Sequence, residues 1–410
     1  MRIGIFTDTY PPYINGVSTS IVMLKNALEK QGHQVFVVTV NADKMSYKYE
    51  DNNKIIRLPG VPIGIYDYRL TGIYPLKAIN KIKKWHLDVI HSHTEFGVGT
   101  FARIIAKQFC IPLVHTYHTM YEDYVHYITK GYFNGTSKKI VEYLTKFYCD
   151  KTATELIVPT KKTYDLFKNK YKIERNVHII PTGIEIERFS NNKKNLPKIL
   201  KLKEKYNIKD NDKVLLFVGR LGKEKSVDFL IKEHCNIIKK YPFCKLLIVG
   251  DGPDFEYFKK LVKKYKIEDN VIFTGKVPWE EVPLYYHMAN IFVTASVTET
   301  QGLTVIEAMS ASLPVVAIND ESFNTVITNY LNGYLFNNKK EYREYISLLL
   351  NDESKCKIMS KQAKINSQIY SSKYFADRVV NVYKSAVNIE NNKHHFLNKL
   401  KKRIWGEKDA

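Results

Sequence analysis

Short apolar runs rich in valine and isoleucine recur along the chain. They alternate with longer stretches in which apolar residues return every three or four positions. In the first half the runs are Arg2–Thr7, Val35–Val40, Ile55–Leu58, Asp88–His93, Pro112–His118, Leu156–Pro159 and Val177–Pro181. In the second half they are Lys213–Gly219, Lys245–Gly250, Val271–Thr274, Ile291–Ala295, Pro314–Ile318 and Tyr334–Phe336. Runs of this kind, apolar without polar alternation, belong to strands buried on both faces. Helix-length segments such as Thr19–Gln31, Lys77–Lys84, Gly97–Phe109, Val227–Lys240 and Phe255–Tyr265 separate them. The pattern predicts an α/β protein with two Rossmann-like, doubly wound parallel-sheet domains. The polar stretch Ser190–Leu196 reads as the linker. It sets an N-terminal domain at 1–189, a C-terminal domain at 197–372 and a helical tail at 373–410, expected to return to the N-terminal domain.

Length and composition agree with this division. A chain of 410 residues is too long for one core. A hydrophobic fraction of 44% with 26% charged residues excludes a disordered chain. No apolar run is long enough for a membrane span, and MRIGIFTDTY lacks the pattern of a signal peptide. The five cysteines (Cys110, Cys149, Cys235, Cys244 and Cys356) are scattered, odd in number and without CxxC spacing. They suggest neither a disulfide framework nor a zinc site, so the expectation is a reducing cytoplasm. The formal charge of +21 points to an anionic partner: nucleic acid, nucleotide or acidic membrane surface.

Open parallel sheets bind ligands at the carboxyl ends of their strands, so those ends are where chemistry is sought. After the first run come Asp8-Thr9-Tyr10-Pro11-Pro12 and then Asn15-Gly16-Val17. A bare Gly16 before a helix lets backbone approach a phosphate or sugar, or simply makes a turn. His91-Ser92-His93-Thr94-Glu95-Phe96 and Tyr117-His118 follow later runs and suit hydroxyl recognition. The HxH spacing resembles a metal pair, but no further ligand is positioned to complete it, and His118 alone is compatible with a structural histidine. In the second half, Gly219-Arg220-Leu221 and Glu224-Lys225 follow an apolar strand. Arg220, by its fork, and Lys225, as a point charge, are suited to clamp a diphosphate. Gly275-Lys276-Val277 offers backbone against which a flat base can lie. Gly250-Asp251-Gly252-Pro253 reads as a structural turn, and Asp210 with Asp212 as a solvated one.

The stretch Val297–Pro314, VTETQGLTVIEAMSASLP, carries the densest signal. Gly302 and Leu303 open a helical run whose free amides and dipole make an anion site. Glu307 lies about 6 Å along the axis from Leu303, roughly the step from a phosphate to a neighbouring ribose diol. Glu299, on the preceding loop, is placed to reach hydroxyls beyond the phosphates. Two solvated acids on an ordinary helix are the competing reading.

The basic excess is also patterned. Lys77, Lys81, Lys83 and Lys84 crowd one short helix, and Lys130, Lys138, Lys139 and Lys146 are interleaved with aromatics. The tail His394–Trp405, HHFLNKLKKRIW, mixes leucine, aromatics and cations as an interfacial helix does, or as a packed helix with an exposed basic face does.

Taken as an ordered set, these motifs resemble the family 4 retaining glycosyltransferases of GT-B fold. The resemblance is carried by the Pro11–Gly16 loop, HSHTEF, HTYH, PTGIE at 181–185, GRLGKEK at 219–225, GDGP at 250–253, and above all Glu299-x7-Glu307 followed by AMSASLPVV. Within the family the chain is most similar to the bacterial diacylglycerol glucosyltransferases, through TMYEDY at 119–124 and Asp320-Glu321-Ser322-Phe323. The resemblance implies two domains facing a central cleft and a nucleotide-sugar donor, with UDP-glucose the expected one. It implies a lipid acceptor at an anionic membrane surface, and an enzyme peripheral to the inner face of the cell membrane. Arg220 and Lys225 would then neutralise the donor diphosphate, and Glu307 would take the ribose hydroxyls. Glu299, with the backbone of Thr300, Gly302 and Leu303, would hold the sugar and diphosphate. Val277 would border the base, Gly16 would leave room for phosphate, and His118 would face the sugar near the reacting carbon. Leu313 departs from the glycine often found there. No metal cofactor is required on this reading, although a non-essential Mg²⁺ is compatible with it. Transfer of glucose or galactose to a glycosylated lipid or polysaccharide, a nucleotide-sugar epimerase on the same fold, and nucleic-acid binding are the alternatives. The last lacks any compact motif.

Overall fold

The computed structural model describes the chain except for residues 14, 63–68, 73, 96, 119–141, 144, 191–192, 298, 300 and 406–410, and except for the side chains of 70, 193 and 394–405. It divides into two compact units, one of Met1–Gly183 with Ser372–Ala410 and the other of Ile184–Ser371. The stretch Ser190–Leu196 therefore belongs to the second unit, where 3₁₀ turns at Ile186–Phe189 and Lys193–Asn195 lead into the helix Leu196–Lys205.

The first unit is built on an eight-stranded sheet. Its strands are β1 (Arg2–Phe6), β2 (Gln34–Val40), β3 (Lys48–Glu50), β4 (Ile55–Leu58), β7 (Val89–Ser92), β8 (Leu113–Thr116), β9 (Glu155–Val158) and β10 (Val177–Ile179), in the order β10-β9-β8-β7-β1-β2-β4-β3. All neighbours are parallel except β3, which runs antiparallel along β4. A separate two-stranded ribbon pairs β5 (Val61–Pro62) with β6 (Arg69–Leu70). The apolar runs explain the parallel strands: β7, β8 and β9 are buried along their whole length, as strands covered on both faces must be. One face is covered by a cluster that includes Phe36, Trp85, Phe101 and Phe167, and the other by Ile21, Leu24, Leu28, Phe375, Val379 and Tyr383. The second face thus joins the helix Gly16–Lys30 to the last helix, Ser372–Trp405. The last helix is tied down further by Arg378 Nη2, which donates to the Ile179 carbonyl, and by Ser385 Oγ, which donates to Glu155 Oε1.

The second unit carries β11 (Lys213–Val218), β12 (Cys244–Val249), β13 (Val271–Phe273), β14 (Ile291–Thr294), β15 (Val315–Ile318) and β16 (Gly333–Phe336), all parallel, in the order β13-β12-β11-β14-β15-β16. Each strand matches an apolar run of the sequence. The strands that the hydrophobic pattern does not announce are β3, β5 and β6. They are short, and β3 and β5 lie largely in solvent.

Glycines let the strand-end turns of this sheet press together. Gly250 has φ +137°, and a Cβ there would sit 1.9 Å from the Gly219 carbonyl oxygen. A Cβ on Gly252 would meet the Leu221 backbone at 2.4 Å. The GDGP turn is therefore a brace for the loop that carries Arg220. Gly250→Ala must move one of the two turns, so a loss of about 2 kcal/mol or more in urea unfolding is expected. An unchanged midpoint would remove the brace.

Candidate functional site

In both sheets the strand order reverses once, between β1 and β7 in the first unit and between β11 and β14 in the second. Such a switch point splays the loops that follow the two strands and opens space above the sheet. Gly16 in the first unit, and Arg220, Lys225, Glu299, Gly302, Leu303 and Glu307 in the second, follow those strands, whereas His118 follows β8 and Val277 follows β13.

In the second unit Leu215 pairs with Ile291 and Leu216 with Phe292, which sets the two loops side by side. The loop after β11 turns through a 3₁₀ segment, Lys223–Lys225, and Ser226 adopts a left-handed φ of +50° before the helix Val227–Lys240. This turn delivers Lys225 Nζ to Glu299 Oε1 at 2.5 Å, both side chains keeping about a fifth of their surface accessible (20% and 22%). Arg220 Nη2 donates to Glu224 Oε1 at 2.6 Å, with the Arg220 side chain 54% exposed. Both predicted cations thus stand at the switch point, each held by a carboxylate. The motif assigns Glu224 no role, although its spacing of four from Arg220 suits such a pair.

Gly302 precedes the helix Leu303–Ser310 with φ +71°, and a Cβ there would meet the Phe323 ring at 2.5 Å. The first amide bonded within the helix is that of Val305, to the Gly302 carbonyl, and no side chain among the described residues caps the turn. The amides of Leu303 and Thr304 therefore point out of the helix start as donors for an anion. Leu303 itself is half-buried against the core. Thr300 lies outside the described residues.

Glu307 is one helical turn further on. It keeps partial contact with solvent, yet the protein around it desolvates the carboxyl and pushes its pKa up to about 7. The Tyr286 hydroxyl, which donates to Glu307 Oε2 at 2.7 Å, and the nearby Arg188 charge oppose that rise. Arg188 stacks its guanidinium 3.2 Å from the centre of the Trp279 ring and donates through Nη2 to the Trp279 carbonyl at 2.9 Å. Trp279 follows the half-buried Val277 and remains 39% exposed. Tyr286, Arg188 and Trp279 escaped the motif reading because they come from three separate segments.

In the first unit the side chain of Asn15 caps the helix Gly16–Lys30 by accepting from the Ser18 amide at 2.9 Å. A Cβ on Gly16 would meet no atom within 4 Å, so packing does not demand the glycine, and its surroundings are open. His118 stands beyond β8, half-buried, its Nε2 2.9 Å from His93 Nδ1. Burial pulls its pKa down to about 4, against the raising effect of Glu95. The ring is neutral near pH 7. His91, His93 and His115 complete a buried set around it, with His115 held between the Ser92 carbonyl and Glu95 Oε1. Among the described residues no group of three or more His, Cys, Asp or Glu side chains is arranged to hold a metal ion.

Two family models match the chain: Glycosyltransferase Family 4 over residues 14–188 and Glycosyl transferases group 1 over residues 198–366. The alpha-monoglucosyldiacylglycerol synthase of Acholeplasma laidlawii is 36% identical over 399 residues, covering 96% of this chain and 99% of that protein. The chain belongs to the family 4 glycosyltransferases. A Streptococcus pneumoniae protein of the same name is 40% identical over 337 residues, covering 82% of this chain and 75% of that protein. Among solved structures, Anabaena HepE in complex with UDP superposes with a TM-score of 0.72 at 16% identity, over 94% of this chain and 100% of that one. With two parallel-sheet α/β units the glycosyltransferase has the GT-B fold expected from its motifs.

Desolvation of Glu307 has a consequence for stability. Its pKa in the folded protein lies above the ordinary 4.5, so the unfolded chain ionises first as pH rises. Stability is therefore undiminished below pH 4.5 and is lost as pH rises through about 7. Glu307→Gln should remove this fall, so the variant gains on the wild type in thermal melts across that window. Parallel curves would show that the carboxyl titrates normally.

Proposed function

We propose that this glycosyltransferase moves glucose from UDP-glucose to the free hydroxyl of diacylglycerol, with retention at the anomeric carbon, giving an α-glucosyl lipid. The observation that carries the reading is the convergence of Lys225, Arg220, Glu299 and the open helix start at Gly302 on one switch point. Near full-length similarity to a protein named for glucosyldiacylglycerol synthesis supports the choice of substrates.

The bond between the anomeric carbon and the β-phosphate oxygen breaks, its electron pair going to the phosphate. The acceptor oxygen bonds to the same face of the same carbon, and its proton passes to the departing phosphate oxygen. Negative charge thus grows on the diphosphate while the sugar becomes oxocarbenium-like. Arg220, Lys225 and the amides of Leu303 and Thr304 are the groups that stabilise the first change. Preorganised donors of this kind contribute about 2.7–4 kcal/mol each. Glu299 holds the Lys225 ammonium and offers its other oxygen to sugar hydroxyls. Glu307 accepts from the ribose diol, which favours its ionised form. These residues place positive charge at the diphosphate without requiring a metal ion, so chelation by EDTA should leave turnover unchanged.

Access to a lipid acceptor calls for contact with a membrane, and none of the described helices is long and apolar enough to cross one. The helix Leu76–Lys83 buries Ala78, Ile79 and Ile82 and turns Leu76, Lys77 and Lys83 outward, with Tyr74 and Lys84 exposed beside it. Such a mix suits an anionic lipid surface. The basic-aromatic stretch around Lys130, Lys138 and Lys139 lies outside the described residues, as do the side chains of the tail His394–Trp405.

Radiolabelled UDP-glucose with diacylglycerol in phosphatidylglycerol vesicles should yield labelled lipid, and yield far less in phosphatidylcholine vesicles. Label found only in a glycosylated lipid would overturn the choice of diacylglycerol, and label found only in polysaccharide or other water-soluble acceptors would overturn the lipid assignment. Lys225→Ala and Arg220→Ala should each lower kcat by about 10²–10³ in folded protein. Wild-type turnover in either would remove the diphosphate clamp.

A further inference from the structure

The imidazole set of the first unit contains a polarity that the motifs do not announce. His93 is 2% exposed and lies on His91, their ring centres 4.0 Å apart. Its Nδ1 meets His118 Nε2 at 2.9 Å, and among the described residues its Nε2 is buried with no hydrogen-bond partner. The His118 ring has no partner other than His93 among the described residues, so its Nδ1 is left open. Both rings are neutral near pH 7, because burial pulls His93 well below the ordinary value and His118 to about 4. One proton must then lie between them, and two arrangements exist. If His118 Nε2 donates, His93 must carry its own proton on Nε2, leaving a buried N–H without an acceptor. If His93 Nδ1 donates, the buried Nε2 keeps only a bare lone pair, which is the less costly orphan.

We infer that His93 is a positioning residue: it donates to His118 Nε2 and so fixes the His118 proton on Nδ1, making His118 a neutral N–H donor toward the transferred hexose. This rests on the reading that places His118 at the sugar. A neutral donor suits that place. It can bond to a sugar hydroxyl or ring substituent while the anomeric carbon gains positive charge, where an imidazolium would repel the developing cation. His91 supports the arrangement from behind. Its Nδ1 lies 2.7 Å from the Tyr383 hydroxyl and its Nε2 2.7 Å from Thr116 Oγ1, so the ring that packs at a tilt against His93 is held at both nitrogens. Among the described residues, the charged and titratable groups facing His118 are His93, His91, His115 and Glu95.

The test is histidine imidazole ¹⁵N spectroscopy on the full-length enzyme labelled in histidine, with His118 assigned by the signal lost in His118→Gln. The expected result is a protonated Nδ1 and bare Nε2 on His118, and a protonated Nδ1 on His93, near pH 7. A protonated Nε2 on His118 overturns the proposal. Turnover gives an independent arm. His93→Asn presents an amide N–H where Nδ1–H stood, so kcat should stay within about threefold, whereas the acceptor-only His93→Asp should lower kcat by about a hundredfold with donor KM little changed. Equal losses in the two folded variants would mean that His93 only fills space, and would overturn the proposal. If the wild type shows the expected tautomer but His118→Gln turns over normally, the placement of His118 at the sugar is what fails.

Discussion

Because β11 pairs with β14 across a long separation in sequence, the loops that follow them leave the sheet side by side, and everything chemical in the second unit depends on that pairing. The ion pair between Lys225 and Glu299 is its direct product: neither residue could reach the other if β14 lay at an edge. The same pairing sets the loop that leads into the helix Leu303–Ser310 beside the loop that carries Arg220 and Lys225. The brace of Gly250 and Gly252 keeps that loop from drifting, since the backbones approach more closely than any side chain would permit. Charge at the site is thus fixed by backbone geometry rather than by the long side chains that carry it.

The paired state of the cations bears on how such a site works. Lys225 and Arg220 are each neutralised by a carboxylate before any ligand arrives. Their ammonium and guanidinium groups are therefore already oriented, which lowers the reorganisation needed when a diphosphate gains charge. Glu307 is arranged differently. Burial raises its pKa to about 7, and a neutral phenol with a guanidinium further off that is itself committed to Trp279 offsets that rise only in part. Two glutamates eight residues apart thereby occupy opposite electrostatic environments.

Much of this was legible in the chain itself. The apolar runs mark every parallel strand because such strands are buried on both faces, and burial is what the pattern records. Glu299, Gly302 and Glu307 stand out by spacing along a single segment. What spacing cannot report is convergence from distant segments. Tyr286 beneath Glu307, Phe323 against Gly302 and Arg188 over Trp279 are ordinary residues in ordinary helices and turns until the fold brings them together. The HxH motif shows the limit from the other side. His91 and His93 have the spacing of metal ligands, yet His91 bonds to two hydroxyls and His93 through Nδ1 to another imidazole, so three of their four nitrogens are spent on orientation. Strands β3, β5 and β6 left no trace because pairings of two or three residues are too short to carry a pattern, and β3 and β5 lie largely in solvent.

The last helix gives the first unit an unusual history. Tyr383 closes over His91, and Phe375, Val379 and Ala386 complete the face of a sheet whose first strand begins at Arg2. On a ribosome, all the strands of that sheet emerge well before the helix that covers them, and the whole of the second unit is made in between. The part of the chain synthesised first is therefore the last whose core can be sealed, a reversal of the usual order in which an N-terminal domain matures first. Until Ser372 and the residues after it arrive, the helix Gly16–Lys30 covers that face alone, and the part that Phe375, Val379 and Tyr383 later cover stays open.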